Sequence, residues 1–317
     1  MSASAPAKPA KQDPEAILRR LEWTVLRRLD GYLQGNYKTL FRGFGLDLAD
    51  LREYQVHDDV RHIDWNVTAR LHVPYVRQYN EDREITAWFL LDMSPSMDFG
   101  SGEINKRHIL TEFTGIIARL LTRHGNRVGA LIYGGGLDTI IPASSGRRHV
   151  LQILDALTNR PELPRSPPTD LSDFLRAALQ IIHSRSFVFL VSDFVSAPGW
   201  ASPLSMLSQR HEILAVRPFD PMEVELPPLG LFVMQDAESG EQVFVDTTDR
   251  GFRKRFAHAA EQREFEVREG LSRAGVDAIE LSTQEDIVDS ILRFTDMRRR
   301  RVRGSSASRA PVAGATP

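Results

Sequence analysis

The sequence has no cysteine, which removes disulfides, thiolate metal sites and cysteine nucleophiles together and fits a reducing compartment. It also lacks any run of ~18 or more apolar residues, so no segment reads as a membrane span. An excess of either charge is missing as well. The 40 basic and 42 acidic residues nearly cancel, leaving no global field to attract nucleic acid or a membrane surface. Gly134-Gly135-Gly136 is followed by no Lys-Ser/Thr pair, so there is no phosphate-binding P-loop. Neither Ser94 nor Ser96 lies in a Gly-x-Ser-x-Gly elbow, which argues against a serine hydrolase of that type. Residues 1–16 are small and polar with no apolar core of signal-peptide type, and the expected location is the cytoplasm.

What is present is ordinary for a soluble protein: 317 residues, 42% hydrophobic and 26% charged, long enough for about two average domains. Residues 1–13 hold too little apolar surface to offset ordering entropy and are expected to be disordered. Over residues 14–84 an amphipathic helix from Pro14 to about Tyr32 leads into an irregular, charged extension expected to pack on the main domain. From residue 85 to 297 strand-like and helix-like segments alternate, which predicts crossover units and a mostly parallel α/β sheet with helices on both faces. Thr86–Leu91 and Phe187–Val191 read as buried strands, and Lys106–His124 as a helix. Val128–Tyr133 and Asp138–Ile141 read as an edge hairpin around the glycine turn. Residues 218–248 interrupt the rhythm with a Pro-rich acidic stretch and two short apolar runs, read as an inserted β-hairpin. A long helix (Arg250–Ala274), a strand (Ala278–Leu281) and a closing helix (Glu285–Met297) follow. Residues 298–317, basic and then rich in small residues, are expected to be a mobile tail.

The most informative stretch is the apolar run that ends in Asp92-Met93-Ser94-Pro95-Ser96. A buried strand there delivers a carboxylate and two hydroxyls into one tight loop, and all three are hard oxygen donors of the kind Mg2+ prefers. Thr169 precedes a helical segment, and Asp193 closes the second apolar run. Each lies where a strand ends or a helix begins, at the carboxyl edge where open α/β sheets bind ligands. Taken singly these residues read as loop, cap and turn positions. Their order and placement together point to a metal site.

Asp92-x-Ser94-x-Ser96, Thr169 and Asp193 resemble the metal-ion-dependent adhesion site of von Willebrand factor A domains. That resemblance implies Mg2+ (or Mn2+) held directly by Ser94, Ser96 and Thr169, with Asp92 and Asp193 approaching directly or through water. It also implies a Rossmann-like fold, and one coordination position left for a carboxylate from a partner protein. Hydroxyl ligands leave the cation electrophilic, which is binding chemistry; catalysis would need a base or nucleophile as well.

Upstream, Arg52, Glu53, Tyr54, Asp59, Arg61, Asp64, Trp65 and Arg70 crowd into one charged segment. His57, Asp58 and His62 raise a His-Asp metallophosphohydrolase, but such sites need helix-borne ligands spread widely over the chain, and this spacing is compact. Trp65 between Asp64 and Asn66 reads as an aromatic anchor, with Arg52 and Arg70 forking onto Glu53, Asp59 and Asp64. The segment is structural or docks a partner. Gly43-x-Gly45, Leu51-Arg52-Glu53-Tyr54, Asp58-Asp59-x-Arg61-x-Ile63-Asp64-Trp65, Gly125-x-Arg127-Val128-Gly129 and Asp220-Pro221-x-Glu223 resemble the bacterial domain-of-unknown-function 58 family. Val56-His57 stands where that family tends to have Pro-Gly. The resemblance implies an adaptor working beside a MoxR-type AAA+ ATPase in assembling or maturing other proteins.

The leading functional expectation is thus a non-enzymatic, Mg2+-dependent protein-interaction module. The rival is a phosphotransfer enzyme of haloacid dehalogenase type. That chemistry needs a second Asp two residues after the nucleophile as general acid, and position 94 is Ser. Arg298–Arg301 with Arg303 read as cations complementing a helix C-terminus rather than a nucleic-acid contact.

Overall fold

The computed structural model describes residues 13–26, 28, 50–55, 60, 63, 65, 68–69, 73–78, 85–160, 169–235 and 241–307. The chain forms two compact units, residues 33–84 and the remainder. In the smaller, β1 (Asp50–Glu53) pairs antiparallel with β2 (Tyr75–Gln78). Tyr54 N–H donates to the Pro74 carbonyl (2.8 Å) just beyond this pairing.

The larger unit opens with α1 (Pro14–Arg20), capped by the Asp13 side chain accepting from Glu15 N–H. A π-helical turn (Leu21–Leu26) continues it. The chain then runs through β3 (Thr86–Asp92), α2 (Lys106–Arg123), β4 (Arg127–Tyr133), β5 (Leu137–Ser144), α3 (Arg147–Thr158) and α4 (Leu171–Ile181). It continues with β6 (Phe187–Val191), α5 (Ala201–Arg210), β7 (Glu212–Phe219), β8 (Leu231–Gln235) and β9 (Gln242–Asp246). α6 (Arg250–Ala274), β10 (Asp277–Ser282) and α7 (Ile287–Ala307) complete it.

A six-stranded sheet has the order β10-β7-β6-β3-β4-β5. All its pairings are parallel except β4 with β5. β3 and β6 are central, and their unbroken apolar sequences follow from burial on both faces. On one face Phe89, Phe189 and Phe113 of α2 stack edge and face, with ring centroids 4.9 and 5.8 Å apart. On the other, Leu90, Val188 and Leu190 pack under Phe174 and Leu175 of α4, Leu204 of α5 and Leu271 of α6. Each such side chain contributes about 1.5–3 kcal/mol by leaving water. Gly129 lets β4 approach the Trp88 ring, which a Cβ there would meet at 2.8 Å.

The α/β class, the mostly parallel sheet and the helices on both faces are those expected from the sequence. So is the antiparallel β8–β9 hairpin, inserted between β7 and α6. Two expectations are corrected. The last helix continues past Met297 to Ala307, because arginine is a good helix former and the basic run carries no breaker until Gly304. Trp65 is exposed rather than an anchor. Among its described apolar neighbours Val60 and Val73 are exposed too, and Ile63 is half-buried. Residues 1–12 and 308–317 lie outside the described residues.

The chain steps from β3 to β4 and β5 on one side, then returns to β6, β7 and β10 on the other. The order therefore reverses between β3 and β6, and the carboxyl ends of those two strands bound the crevice where such sheets take ligands.

Candidate metal centre

Asp92 is the last residue of β3 and is fully buried. Its Oδ1 accepts from Ser94 N–H (3.0 Å), closing the tight loop that the Asp-x-Ser spacing favours. Its Oδ2 accepts from the hydroxyl of Ser192 (2.7 Å), at the end of neighbouring β6. Pro95 then starts a 3-10 turn, Pro95–Asp98, which Met97 N–H ties to the Ser94 carbonyl. The turn brings Ser94 Oγ and Ser96 Oγ to 3.1 Å from each other. Both serines are buried.

Asp193 follows β6 across the switch point. Its Oδ1 accepts from Val195 N–H (3.0 Å) and its Oδ2 from Lys106 Nζ (2.7 Å). The next residue, Phe194, has φ of 61°, a left-handed backbone that a bulky side chain rarely adopts. The conformation is held by Ser192 Oγ, which accepts Phe194 N–H (2.9 Å), and by the Phe194 ring packing on Trp200 with centroids 4.9 Å apart. Trp200 in turn fills the space over Gly270 of α6, where a Cβ would meet the indole at 2.5 Å.

Thr169 is fully buried just before α4. Its carbonyl accepts from Ala197 N–H (2.9 Å) and Ser196 Oγ (3.0 Å), which pins it to the loop after β6. Asp170 N–H donates to Tyr133 Oη (3.1 Å), and Tyr133 is the register partner of Asp92. All of the metal-site candidates thus stand at one edge of the sheet, with Asp92, Ser94 and Ser96 linked by hydrogen bonds.

Burial, and then the charge of Asp193, push the Asp92 carboxyl up to about 6. Two carboxylates that feel each other's charge in a dry site favour a cation beside them, and Lys106 supplies one to Asp193. The donor set fits a small hard ion: oxygens only, with hydroxyls alongside the carboxylates. No group of three or more His, Cys, Asp or Glu side chains that could hold a metal occurs among the described residues. A site here would therefore depend on its serines and threonine. Both oxygens of Asp92 accept hydrogen bonds, and position 94 offers an alcohol where a second carboxyl would serve as general acid.

Sequence reasoning missed Lys106, which is 0% exposed although it begins α2. Besides Asp193 it binds Glu223 Oε1 at 2.6 Å. Burial alone would drive off its proton, but the charges of Asp193 and Glu223 outweigh it and hold the ammonium above the ordinary lysine value. Glu223 is positioned by a capping box with Asp220, whose backbone N–H donates to Glu223 Oε2 (3.0 Å). Asp220 also accepts from Ser101 N–H (2.8 Å) and from Thr283 Oγ1 (2.7 Å). The Asp-Pro-x-Glu spacing was the available signal, because Asp followed three residues later by Glu is a capping pattern. A cavity of about 310 Å³ opens beside Asp193, lined by Phe194, Val195, Pro218, Ala260 and Val267 among others.

Of the charged segment, Arg52 and Glu53 lie in β1, Glu53 is exposed and Tyr54 half-buried. Asp59, Arg61, Asp64 and Arg70 lie outside the described residues, as does the ion-pair network expected of them. Among the described residues no helix is long and apolar enough to cross a membrane.

The chain is similar to an uncharacterized protein of Mycobacterium tuberculosis, 39% identical over 290 residues that cover 91% of each chain. Among solved structures it is similar to an aerotolerance-related membrane protein of Bacteroides fragilis (TM-score 0.45, 12% identity, covering 68% of this chain and 99% of that one). A second is the conserved hypothetical protein BatB of Bacteroides thetaiotaomicron (TM-score 0.43, 13% identity, with 68% and 99% covered). Residues 50–266 match the family described as protein of unknown function DUF58. With most of its length matched to that family and to the mycobacterial relative, the chain belongs to the DUF58 family.

Proposed function

We propose that this protein is a non-enzymatic, divalent-metal-dependent interaction module. Ser94, Ser96 and Thr169 would hold Mg2+ or Mn2+, with Asp92 and Asp193 beside it. The ion supplies an electrophilic position that accepts a carboxylate from a partner protein. The observation that carries the reading is the buried pair of serine hydroxyls, 3.1 Å apart, beside a carboxylate whose pKa is pushed up to about 6 by burial and by a second carboxylate. Oxygens that close together suit adjacent positions around a small cation.

The partner is a MoxR-type AAA+ ATPase, the protein is cytoplasmic, and the role is adaptor-like, in assembly or maturation of other proteins. The partner and the role follow from the family resemblance, and the location from the sequence expectation.

The test is affinity capture from the native cell with the full chain as bait, run in parallel with Mg2+ and with EDTA. A hexameric ATPase is expected only with metal. Asp92→Ala should abolish that metal-dependent capture while leaving the circular dichroism spectrum unchanged. Equal recovery with and without chelator would sink the reading, and turnover of a phosphate ester that Asp92→Ala abolishes would favour the dehalogenase-type enzyme instead.

A further inference from the structure

We infer that Lys106 is a built-in counter-cation that sets how strongly the metal centre holds its ion, and that Glu223 sets how much of its charge reaches the site. The inference rests on the metal-site reading above and adds its regulation. Lys106 Nζ lies 2.7 Å from Asp193 Oδ2 and 2.6 Å from Glu223 Oε1, with its side chain fully enclosed. A buried ammonium needs a paired carboxylate, and Asp193 alone would satisfy that need. The second carboxylate is brought in by a dedicated device, the capping box of Asp220 and Glu223.

The consequence is electrostatic. Asp193 contributes less attraction to a cation than a free carboxylate would, because its Oδ2 is already paired with the ammonium. A resident ion is then held loosely and stays under-neutralised, so it keeps its appetite for a carboxylate from outside. Glu223 opposes this by drawing part of the ammonium's field away. It faces Lys106 from the turn after β7, while Asp193 faces it from the loop after β6.

Two neutralising variants of the full-length protein therefore move in opposite directions. Lys106→Met frees Asp193 from the ammonium 2.7 Å away and should tighten Mg2+ binding at least ~10-fold, since like charges in a buried site repel strongly at protein-like dielectric. Glu223→Gln leaves the ammonium undivided on Asp193 and should weaken Mg2+ binding by a few-fold or more. Isothermal titration with MgCl2 reads both, and thermal melts with MgCl2 or EDTA give an independent readout. Mg2+ should raise the melting temperature of Lys106→Met by more than that of the native protein, because the ion takes over a lost structural charge.

Were Lys106 merely structural, both variants would bind Mg2+ more weakly, and that result overturns the inference. Equal affinity in native and variant proteins overturns it too. Absence of Mg2+ binding to the native protein would overturn the metal-site reading itself, a separate failure visible without any variant. Should Lys106→Met fail to fold even with Mg2+, Lys106→Gln takes its place, and unchanged or weaker Mg2+ binding by it refutes the inference.

Discussion

Lys106 and Arg217 are both buried cations that bridge two carboxylates, yet their surroundings differ. Arg217 on β7 forks onto Glu264 of α6 at 2.9 and 2.7 Å and reaches Glu280 of β10 at 3.2 Å. Arg268 closes the group by pairing with the same two glutamates. Most of the charge is met inside the group, although Arg217 also feels the Asp193 carboxylate, and the two glutamates are 35% and 44% exposed. Lys106, by contrast, is bound to an Asp193 side chain only 4% exposed, which shares its field with Asp92. The first group ties a strand to a helix. The second ties the start of α2 to the loop after β6, beside the buried Asp92 carboxylate.

Removing each cation tests this contrast. Lys106→Met should have the larger effect on stability, about 3–5 kcal/mol in EDTA by denaturant unfolding, because it strands a nearly inaccessible carboxylate. Arg217→Met should cost less, about 1–3 kcal/mol, since Glu264 and Glu280 can rehydrate. Mg2+ should rescue the first variant in part and leave the second unmoved. If Arg217→Met proves the costlier, or if Mg2+ rescues both alike, the distinction between a closed ion group and one open to the site collapses.

Much of the larger unit was legible because its signals are local. Phe187–Val191 and Arg250–Ala274 appear with the bounds their sequence periodicity predicts. The alternation of strand-like and helix-like segments pointed to the mostly parallel sheet. The candidate metal residues were legible for a related reason: strand ends are visible in sequence, and parallel strands deliver their ends to one edge. Lys106 was not, because a lysine at the start of a helix reads as solvent-facing, and its partners lie 87 and 117 residues away. Ser192 was hidden by its position inside an apolar run, and the role of Asp220-Pro221-x-Glu223 emerges only once Ser101 and Thr283 are seen to converge on Asp220. Trp65 misled because an indole among charges was read as an anchor, whereas the side chain is exposed.

The smallest expected effect comes from a third buried basic side chain, His211, which follows α5 with no carboxylate among its hydrogen-bond partners. It is 3% exposed and its Nδ1 accepts from Ser186 N–H at 3.3 Å, an acceptor role that requires the neutral ring at that nitrogen. Burial, and then the charge of Arg210, push its pKa below the ordinary histidine value of 6.5. As pH falls past that value the unfolded chain takes up the proton before the folded one. Stability from this group is therefore complete above the unfolded pKa and is lost as pH falls toward the depressed folded value. Melting temperatures measured from about pH 7.5 down to about 5.5 should fall more steeply for the native protein than for His211→Gln. Parallel curves would mean that the ring is protonated without penalty. The contrast with Lys106 would then lose its basis, which is that a buried base keeps its charge only where carboxylates such as Asp193 and Glu223 stand beside it.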